Sequence, residues 1–441
     1  MDEIVIHDSA LDGFRIKYEV SVPRSLKKYF RSFNVFVEYD ESVDVDTSIL
    51  NMPILTAVLP LAWLTRSDIR IESIDKVFKR SVDNLKQEFM DMYPKADFNT
   101  NIHANKLVEN RIQVDSYERT ALLFSGGVDC TYSLITNLKE NTRLIMYWGV
   151  EGYPYPKRPE YWKQVISTYS DFAKRKGLTL NLVKTNILEL LNERRIEHDF
   201  HDIILNGTLW IKLLHWILLP LAAPLSIGRF DRLLIAASHA GHEVTVPACN
   251  DKRIDEKVAW ADLQVSHDGY IPRIDKILGP IKEYLEKDDL IFRVCLKRDI
   301  ERGKLNCSSC EKCFRTIVGL ILIGFDPNKC GFEVDQSTFK AIKDMFTNEQ
   351  FGHSTLNVQW KPLQRMAAKS EHDIHGSLEF FKWFRDFDLF SRVEDVEKYR
   401  KLYHKLPYQM AKILDELYET VGINIHTHNP AITLDSKVSR S

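Results

Sequence analysis

The sequence lacks an excess of charge of either sign: 60 lysines and arginines stand against 62 aspartates and glutamates, a formal charge of −2. That removes the broad basic field that holds nucleic acid by counterion release, so no nucleic-acid partner is expected. Long hydrophobic runs are missing too. In the most apolar stretch, "IILNGTLWIKLLHWILLPLAAPLSIG" (residues 203–228), Lys212, His215, Pro220 and Pro224 intervene before about 20 apolar residues accumulate, so a buried helix pair is expected and no membrane span. The opening "MDEIVIHDSA" has no basic flank leading into an apolar core; no signal peptide is expected, and a cytoplasmic location is.

Cysteine is scarce and uneven, with seven in all and four of them between residues 295 and 313. A secreted disulfide scaffold is shorter and spreads its cysteines, so thiols with a metal role are the better reading. The chain has no internal repeat and no low-complexity tract. It contains neither G-x-x-x-x-G-K-[ST] nor G-x-G-x-x-G, which excludes the common ATPase and dinucleotide loops, and no Ser/His/Asp arrangement is visible. What is present is 44% hydrophobic and 28% charged residues, the balance of a globular protein. At 441 residues the chain exceeds one ordinary core, so about two or three domains are expected.

Residues 1–116 mix short strands, "FRIKYEVSV" (14–22) and "NVFVEY" (34–39), with helices. Residues 54–64 are apolar enough to be buried, and Val77, Val82, Leu85, Phe89 and Met92 recur at helical spacing, which predicts a small α/β domain. From residue 117 a strand, turn, helix pattern repeats. "TALLFS" (120–125), "RLIMYWGV" (143–150), "LTLNLVKT" (178–185) and "RLLIAAS" (232–238) read as strands, and 160–176 as a helix ended by Gly177. Uninterrupted apolar strands alternating with helices predict a parallel sheet covered on both faces. Ligands of such sheets sit at the carboxyl ends of the strands, which picks out residues 125–129, Trp148, Gly149, Thr185, Asn186, Ser238 and His239. Beyond residue 331 the pattern is mainly helical, with a polar, loose tail. The expected regions are therefore 1–116, 117–330 and 331–441.

The stretch "LLFSGGVDCTYSL" (122–134) sets an apolar run against two glycines and a carboxylate. At a strand's end Gly126 and Gly127 can take positive φ and let a phosphate approach backbone N–H groups. Ser125 and Thr131 offer hydroxyls, and the following helix offers its positive N-terminal end. Asp129 suits a Mg²⁺ ion or the ordering of the loop. The pattern resembles the S-G-G-x-D-S loop of the PP-loop superfamily, the ATP pyrophosphatases that cut ATP between its α and β phosphates and adenylate a substrate. One departure is Cys130 where the family has serine; a thiol is the weaker donor, with Thr131 beside it to compensate. The resemblance implies a PP-loop α/β fold. It also implies ATP contacts at Ser125, Gly126, Gly127, Val128, Asp129, Cys130 and Thr131, joined along the sheet edge by Trp148, Gly149, Thr185 and His239, with Ser125 and Asp129 catalytic.

In "VCLKRDIERGKLNCSSCEKCFRT", Cys295 precedes a C-x-x-C-x-x-C run of Cys307, Cys310 and Cys313. Four thiolates so spaced can close a tetrahedral, structural Zn²⁺ site. An iron–sulfur cluster uses the same ligands, and Cys330 is an alternative fourth ligand. A PP-loop domain followed by these cysteines, Arg315 and Thr316 is similar to the 7-cyano-7-deazaguanine synthases (QueC) over residues 117–322, about half of the chain. The resemblance is closer to the larger QueC-like proteins of bacterial anti-phage operons (the QatC type), which carry a segment like "HDGYIPRIDKI", here residues 267–277. It implies an ATP-dependent C–N ligase that activates a 7-deazaguanine carboxylate, using Mg²⁺ and Zn²⁺. The acceptor so implied is ammonia or an amine of an operon-encoded partner protein.

Other residues carry two readings each. His239 and Asn250 are placed to meet the substrate or ribose, or only to cap a loop. Arg273 and Lys276, three apart, would share a helix face and bind a carboxylate or phosphate as catalytic cations, or form a surface ion pair. His267 and Asp268 read as turn-shaping. Tyr147 and Trp148 would stack on adenine or pack the core. The set Phe380, Phe381, Trp383, Phe384, Phe387 and Phe390 exceeds one buried helix face and reads as domain packing or a protein interface. Two other functions fit parts of the pattern: a PP-loop tRNA-modifying sulfur transferase using Cys130, and a non-catalytic nucleotide-binding subunit of a defence complex.

Overall fold

The computed structural model describes residues 2–114, 119–138, 141–150, 155–205, 207–243, 247–295, 300–301, 303–349, 351–392 and 405–413. The chain divides into two compact units, Met1–Ile271 and Pro272–Ser441, whereas the sequence reading divides it at residues 117 and 331.

Among its described residues the first unit holds twelve strands: β1 (Glu3–Ile6), β2 (Ala10–Asp12), β3 (Arg15–Tyr18), β4 (Val20–Ser21), β5 (Val35–Tyr39), β6 (Asp68–Asp75), β7 (Ile102–Val108), β8 (Thr120–Leu123), β9 (Arg143–Trp148), β10 (Leu180–Thr185), β11 (Arg232–Ala236) and β12 (Gln264–Asp268). They form a small sheet ordered β4-β1-β6-β7 and a large one ordered β12-β11-β8-β9-β10-β5-β3-β2. The five strands from β12 to β10 are parallel. The expectation of a wholly parallel sheet is corrected beyond that point, because β5 pairs antiparallel with β10 and β3 and β2 continue antiparallel. The N-terminal strands thus complete the central sheet. The stretch 14–22 is split between the two sheets as β3 and β4.

Helices flank the strands. Residues 52–64 are all buried in α1 (Met52–Thr65), which lies within the core and needs no polar face. In α2 (Lys76–Met92), Asp75 caps the start by accepting from the Phe78 N–H, and Phe78, Val82, Leu85, Phe89 and Met92 line the buried face. Helix α3 (Val128–Asn137) follows β8, and α4 (Pro159–Lys176) ends at Gly177 with φ +65°, a left-handed C-cap suited to glycine. The expected helix pair at 203–228 is instead a chain of short π and 3₁₀ turns with a last α-turn, Ala223–Ser226, because Pro220 and Pro224 remove the N–H groups a continuous helix requires. Among the described residues no helix is long and apolar enough to cross a membrane.

The second unit is helical over its described part: α5 (Glu311–Leu322), α6 (Gln336–Asn348), α7 (Lys361–Ala367) and α8 (Ser377–Asp386) with shorter turns. Half of its aromatic set packs inward, while Trp383, Phe387 and Phe390 are half-buried. Phe380, Phe381 and Phe384 are buried, Phe346 lies between Trp360 and Phe384, and the Gln364 side-chain amide donates to the Phe384 and Phe387 carbonyls at 2.7 and 2.6 Å. The expected polar tail lies outside the described residues.

Candidate functional site

Strand β8 is buried along its length, and the Phe124 N–H still bonds to the Ile145 carbonyl at 2.8 Å. The chain then turns through Ser125, Gly126 and Gly127 into α3. Gly126 has φ +81°, and a Cβ there would stand 2.0 Å from the Tyr169 hydroxyl oxygen, so conformation and space both require glycine. Gly127 is the N-cap of α3 and brings no side chain to cap it. The helix therefore starts without a side-chain cap, and its N-terminal end carries the partial positive charge that attracts anions.

Cys130 is folded into the turn. Its sulfur lies 3.4 Å from both the N–H and the hydroxyl of Ser125, and its thiol donates to the Gly127 carbonyl at 3.3 Å. Burial pushes this thiol up, against the Ser125 donors. Thr131 is buried as well, and its Oγ1 has no partner among the described residues. Its hydroxyl therefore does not stand at the surface. Ser125 is exposed, Asp129 and Gly127 half-buried, and Val128 buried.

Along the same sheet edge, Trp148 packs on Trp162 at 5.6 Å and on Tyr155 at 4.9 Å. Gly149, at φ +119°, allows its backbone to approach the Thr185 carbonyl, which a Cβ would meet at 1.7 Å. The Thr185 hydroxyl donates to the Phe36 carbonyl at 2.6 Å and accepts from the Ile187 N–H at 3.0 Å, so it ties β10 to β5. His239 is half-buried beyond the end of β11. Arg273 and Lys276 belong to the second unit, unlike the turn. They share one short helical turn, Arg273–Lys276, as their spacing predicts, but not as a surface ion pair: Arg273 donates to the Gln359 side chain at 2.6 Å, and Lys276 is fully buried.

One pair is not evident from the sequence. His267 is a residue of β12 whose Nδ1 lies 2.7 Å from Oδ2 of Asp255. The signal was the alternation of buried Val265 and His267 with more exposed neighbours, too short to register beside Gly269.

In the second unit Cys295, Cys307, Cys310 and Cys313 offer sulfurs that all lie within 4.8 Å of one another. The Cys295–Cys310 and Cys307–Cys313 separations are 3.8 Å and Cys310–Cys313 is 3.5 Å. A tetrahedron of thiolates about 2.3 Å from a central Zn²⁺ has edges of about 3.8 Å, so this donor set fits one ion. It is too tight to enclose a multi-iron cluster. Cys330 stays outside the group, its thiol pushed up to about 12 by burial. Asn306 holds the two cysteine segments together: its carbonyl oxygen accepts from the Val294 and Cys295 N–H groups, and its amide donates to the Phe292 and Gly331 carbonyls, both at 2.8 Å. Cys310 is the N-cap of α5, so the ligand loop runs directly into a buried helix.

The residues thus define an α/β chain with a glycine turn at a strand end and a separate tetrathiolate centre. No protein-family model, curated protein or solved structure matches it.

Proposed function

We propose that the protein is an ATP-dependent carboxylate-activating enzyme of the PP-loop, QueC-like kind. It adenylates a 7-deazaguanine carboxylate, releases pyrophosphate, and passes the acyl group to ammonia or to an amine of an operon-encoded partner protein in anti-phage defence. The observation that carries the reading is the turn at Gly126, where a left-handed glycine sealed by Tyr169 leads without a capping side chain into α3. A carboxylate is a poor electrophile because its leaving group would be oxide, and adenylation replaces that group with AMP. Backbone N–H groups at the start of α3 are suited to the pyrophosphate as its charge develops. Asp129, in the first turn of that helix, is the residue that would hold Mg²⁺, which supplies further charge neutralisation. The tetrathiolate group would hold Zn²⁺ as a closed structural centre of the second unit.

Sulfur transfer through Cys130 is the weaker reading, since that thiol is buried, raised and engaged with Ser125 rather than presented as a thiolate. The test is mass spectrometry of a reaction containing the protein, Mg-ATP, 7-carboxy-7-deazaguanine and either ammonia or a candidate partner. AMP with an amidated small molecule, or AMP with a mass increase on the partner, supports the proposal. ATP binding without AMP in either arm would leave a non-catalytic nucleotide-binding subunit as the better description.

A further inference from the structure

The tetrathiolate centre is unevenly covered. Cys295, Cys310 and Cys313 are 1%, 8% and 0% exposed, whereas Cys307 is half-buried and is followed by half-buried Ser308 and exposed Ser309. Cys307 is therefore the sulfur that a small solute meets first. The Ser309 N–H points back to that sulfur at 3.5 Å, and Ser308, at φ +54°, turns the chain and accepts from the Glu333 N–H at 2.9 Å. The thiolate is the nucleophilic form of cysteine, and holding a metal keeps all four residues in that form.

The sulfur separations also define a pairing. Cys307–Cys313 and Cys295–Cys310, each 3.8 Å apart, share no sulfur and between them use all four. Cys310–Cys313 is shorter at 3.5 Å, but both of its residues are covered. Bonds that need no ion hold the four in place. Asn306, next to Cys307, accepts from the Cys295 N–H at 3.2 Å. At the other end of the ligand run, Glu311 follows Cys310 in the first turn of α5, accepts from the Trp360 indole N–H at 2.9 Å and lies 3.4 Å from the Arg315 guanidinium. The sulfurs therefore stay adjacent when an ion is lost, and a sulfenic acid beside a thiol condenses to a disulfide.

We propose that the tetrathiolate centre is an oxidant-sensitive switch, in which a peroxide oxidises Cys307 first, disulfides close at Cys307–Cys313 and then at Cys295–Cys310, and the chain releases its zinc. The inference rests on the zinc assignment above and is independent of carboxylate activation. The Cys307 thiolate attacks one peroxide oxygen, the O–O bond breaks, and hydroxide leaves, which gives a sulfenic acid. The Cys313 thiolate then attacks that sulfur. The S–S bond forms, the S–O bond breaks, a second hydroxide leaves, and the two thiolates have passed two electrons to the peroxide. With two of four donors gone, the chain no longer closes a tetrahedral site. A second peroxide oxidises Cys295 and Cys310 in the same way. The two disulfides replace the cross-links that the ion supplied, and a dithiol reductant with zinc reverses the change by exchange.

Full-length protein carrying its zinc is treated with hydrogen peroxide while a metallochromic dye reads the released ion, and non-reduced digests are sequenced by tandem mass spectrometry. Dimedone, which captures sulfenic acids, is expected to label Cys307 ahead of the other three ligands. Without dimedone, about one zinc per chain is expected to leave for about two peroxides consumed, with cross-links Cys307–Cys313 and Cys295–Cys310. Dithiothreitol with added zinc is expected to restore the metal, and Cys330→Ser is expected to release zinc as the wild type does. A first label on another ligand, a Cys310–Cys313 cross-link, slower release in Cys330→Ser, or zinc retained through peroxide treatment overturns the inference and leaves the zinc assignment standing. Protein that binds no zinc overturns that assignment and this inference with it, while AMP production still tests carboxylate activation.

Discussion

The Tyr169 hydroxyl occupies the space that any side chain on Gly126 would need, with an added Cβ coming to 2.0 Å from its oxygen. At Gly127, by contrast, a Cβ would meet only the Ser125 hydroxyl, at 3.4 Å. Gly126→Ala is therefore expected to destabilise the protein by about 2–4 kcal/mol, from left-handed strain plus overpacking. Gly127→Ala is expected to cost about 1 kcal/mol or less as a poorer N-cap. Equal losses in urea denaturation would remove the contact with Tyr169 as the reason for glycine at 126.

Asp129 sits in the first turn of α3, where a carboxylate adds only about 0.3–1 kcal/mol to the helix. Asp129→Ala should melt close to the wild type while AMP production falls below detection. A folded variant with full AMP production would contradict the assignment of the loop.

The tetrathiolate geometry separates Cys310 from Cys330. Cys310→Ser is expected to lose the bound metal and to fall in solubility, because breaking the donor set removes folding free energy from the second unit. Cys330→Ser is expected to keep its metal. Elemental analysis of the purified variants reads both outcomes, and full metal content in Cys310→Ser would take that residue out of the ligand set.

Asp199 gathers Tyr29, Lys28, Arg195 and His198 around its carboxylate at 2.9 to 3.2 Å. Burial acts to raise this carboxyl, and those donors outweigh it to bring the group down to about 2. A carboxyl depressed on folding contributes stability that is present above its unfolded pKa, near 3.9, and is lost as pH falls through the folded value. Between about pH 4 and pH 2 the wild type should lose up to about 2 kcal/mol from this group alone. Asp199→Asn should be less stable at neutral pH and show a shallower acid transition; identical acid curves would remove the cluster as a source of acid sensitivity.

Four of the five parallel strands, β8 to β11, were legible because each is an apolar run bounded by turn residues, and local composition suffices to mark them. The cysteine group was legible because its spacing nearly fixes the geometry. Pairings over long separations were not. Thr185 reads as a ligand contact by its place after a strand, yet its hydroxyl is bound to Phe36 because β5 docks there, which no local pattern announces. Lys276 reads from its i, i+3 spacing with Arg273 as a cation for a carboxylate or phosphate or as half of a surface ion pair, and packing within the fold encloses it. Strand β12 escaped notice because it offers only Val265 and His267 to the interior.

The antiparallel junction between β5 and β10 also sets an order of events during synthesis. Phe36 and Thr185 are 149 residues apart in the chain. At about 5–20 residues per second, the N-terminal strands leave the ribosome roughly 7–30 s before the strand they must join has been made. Until then β2, β3 and β5 have only one another as hydrogen-bonding partners, and their free edge is open to other nascent chains.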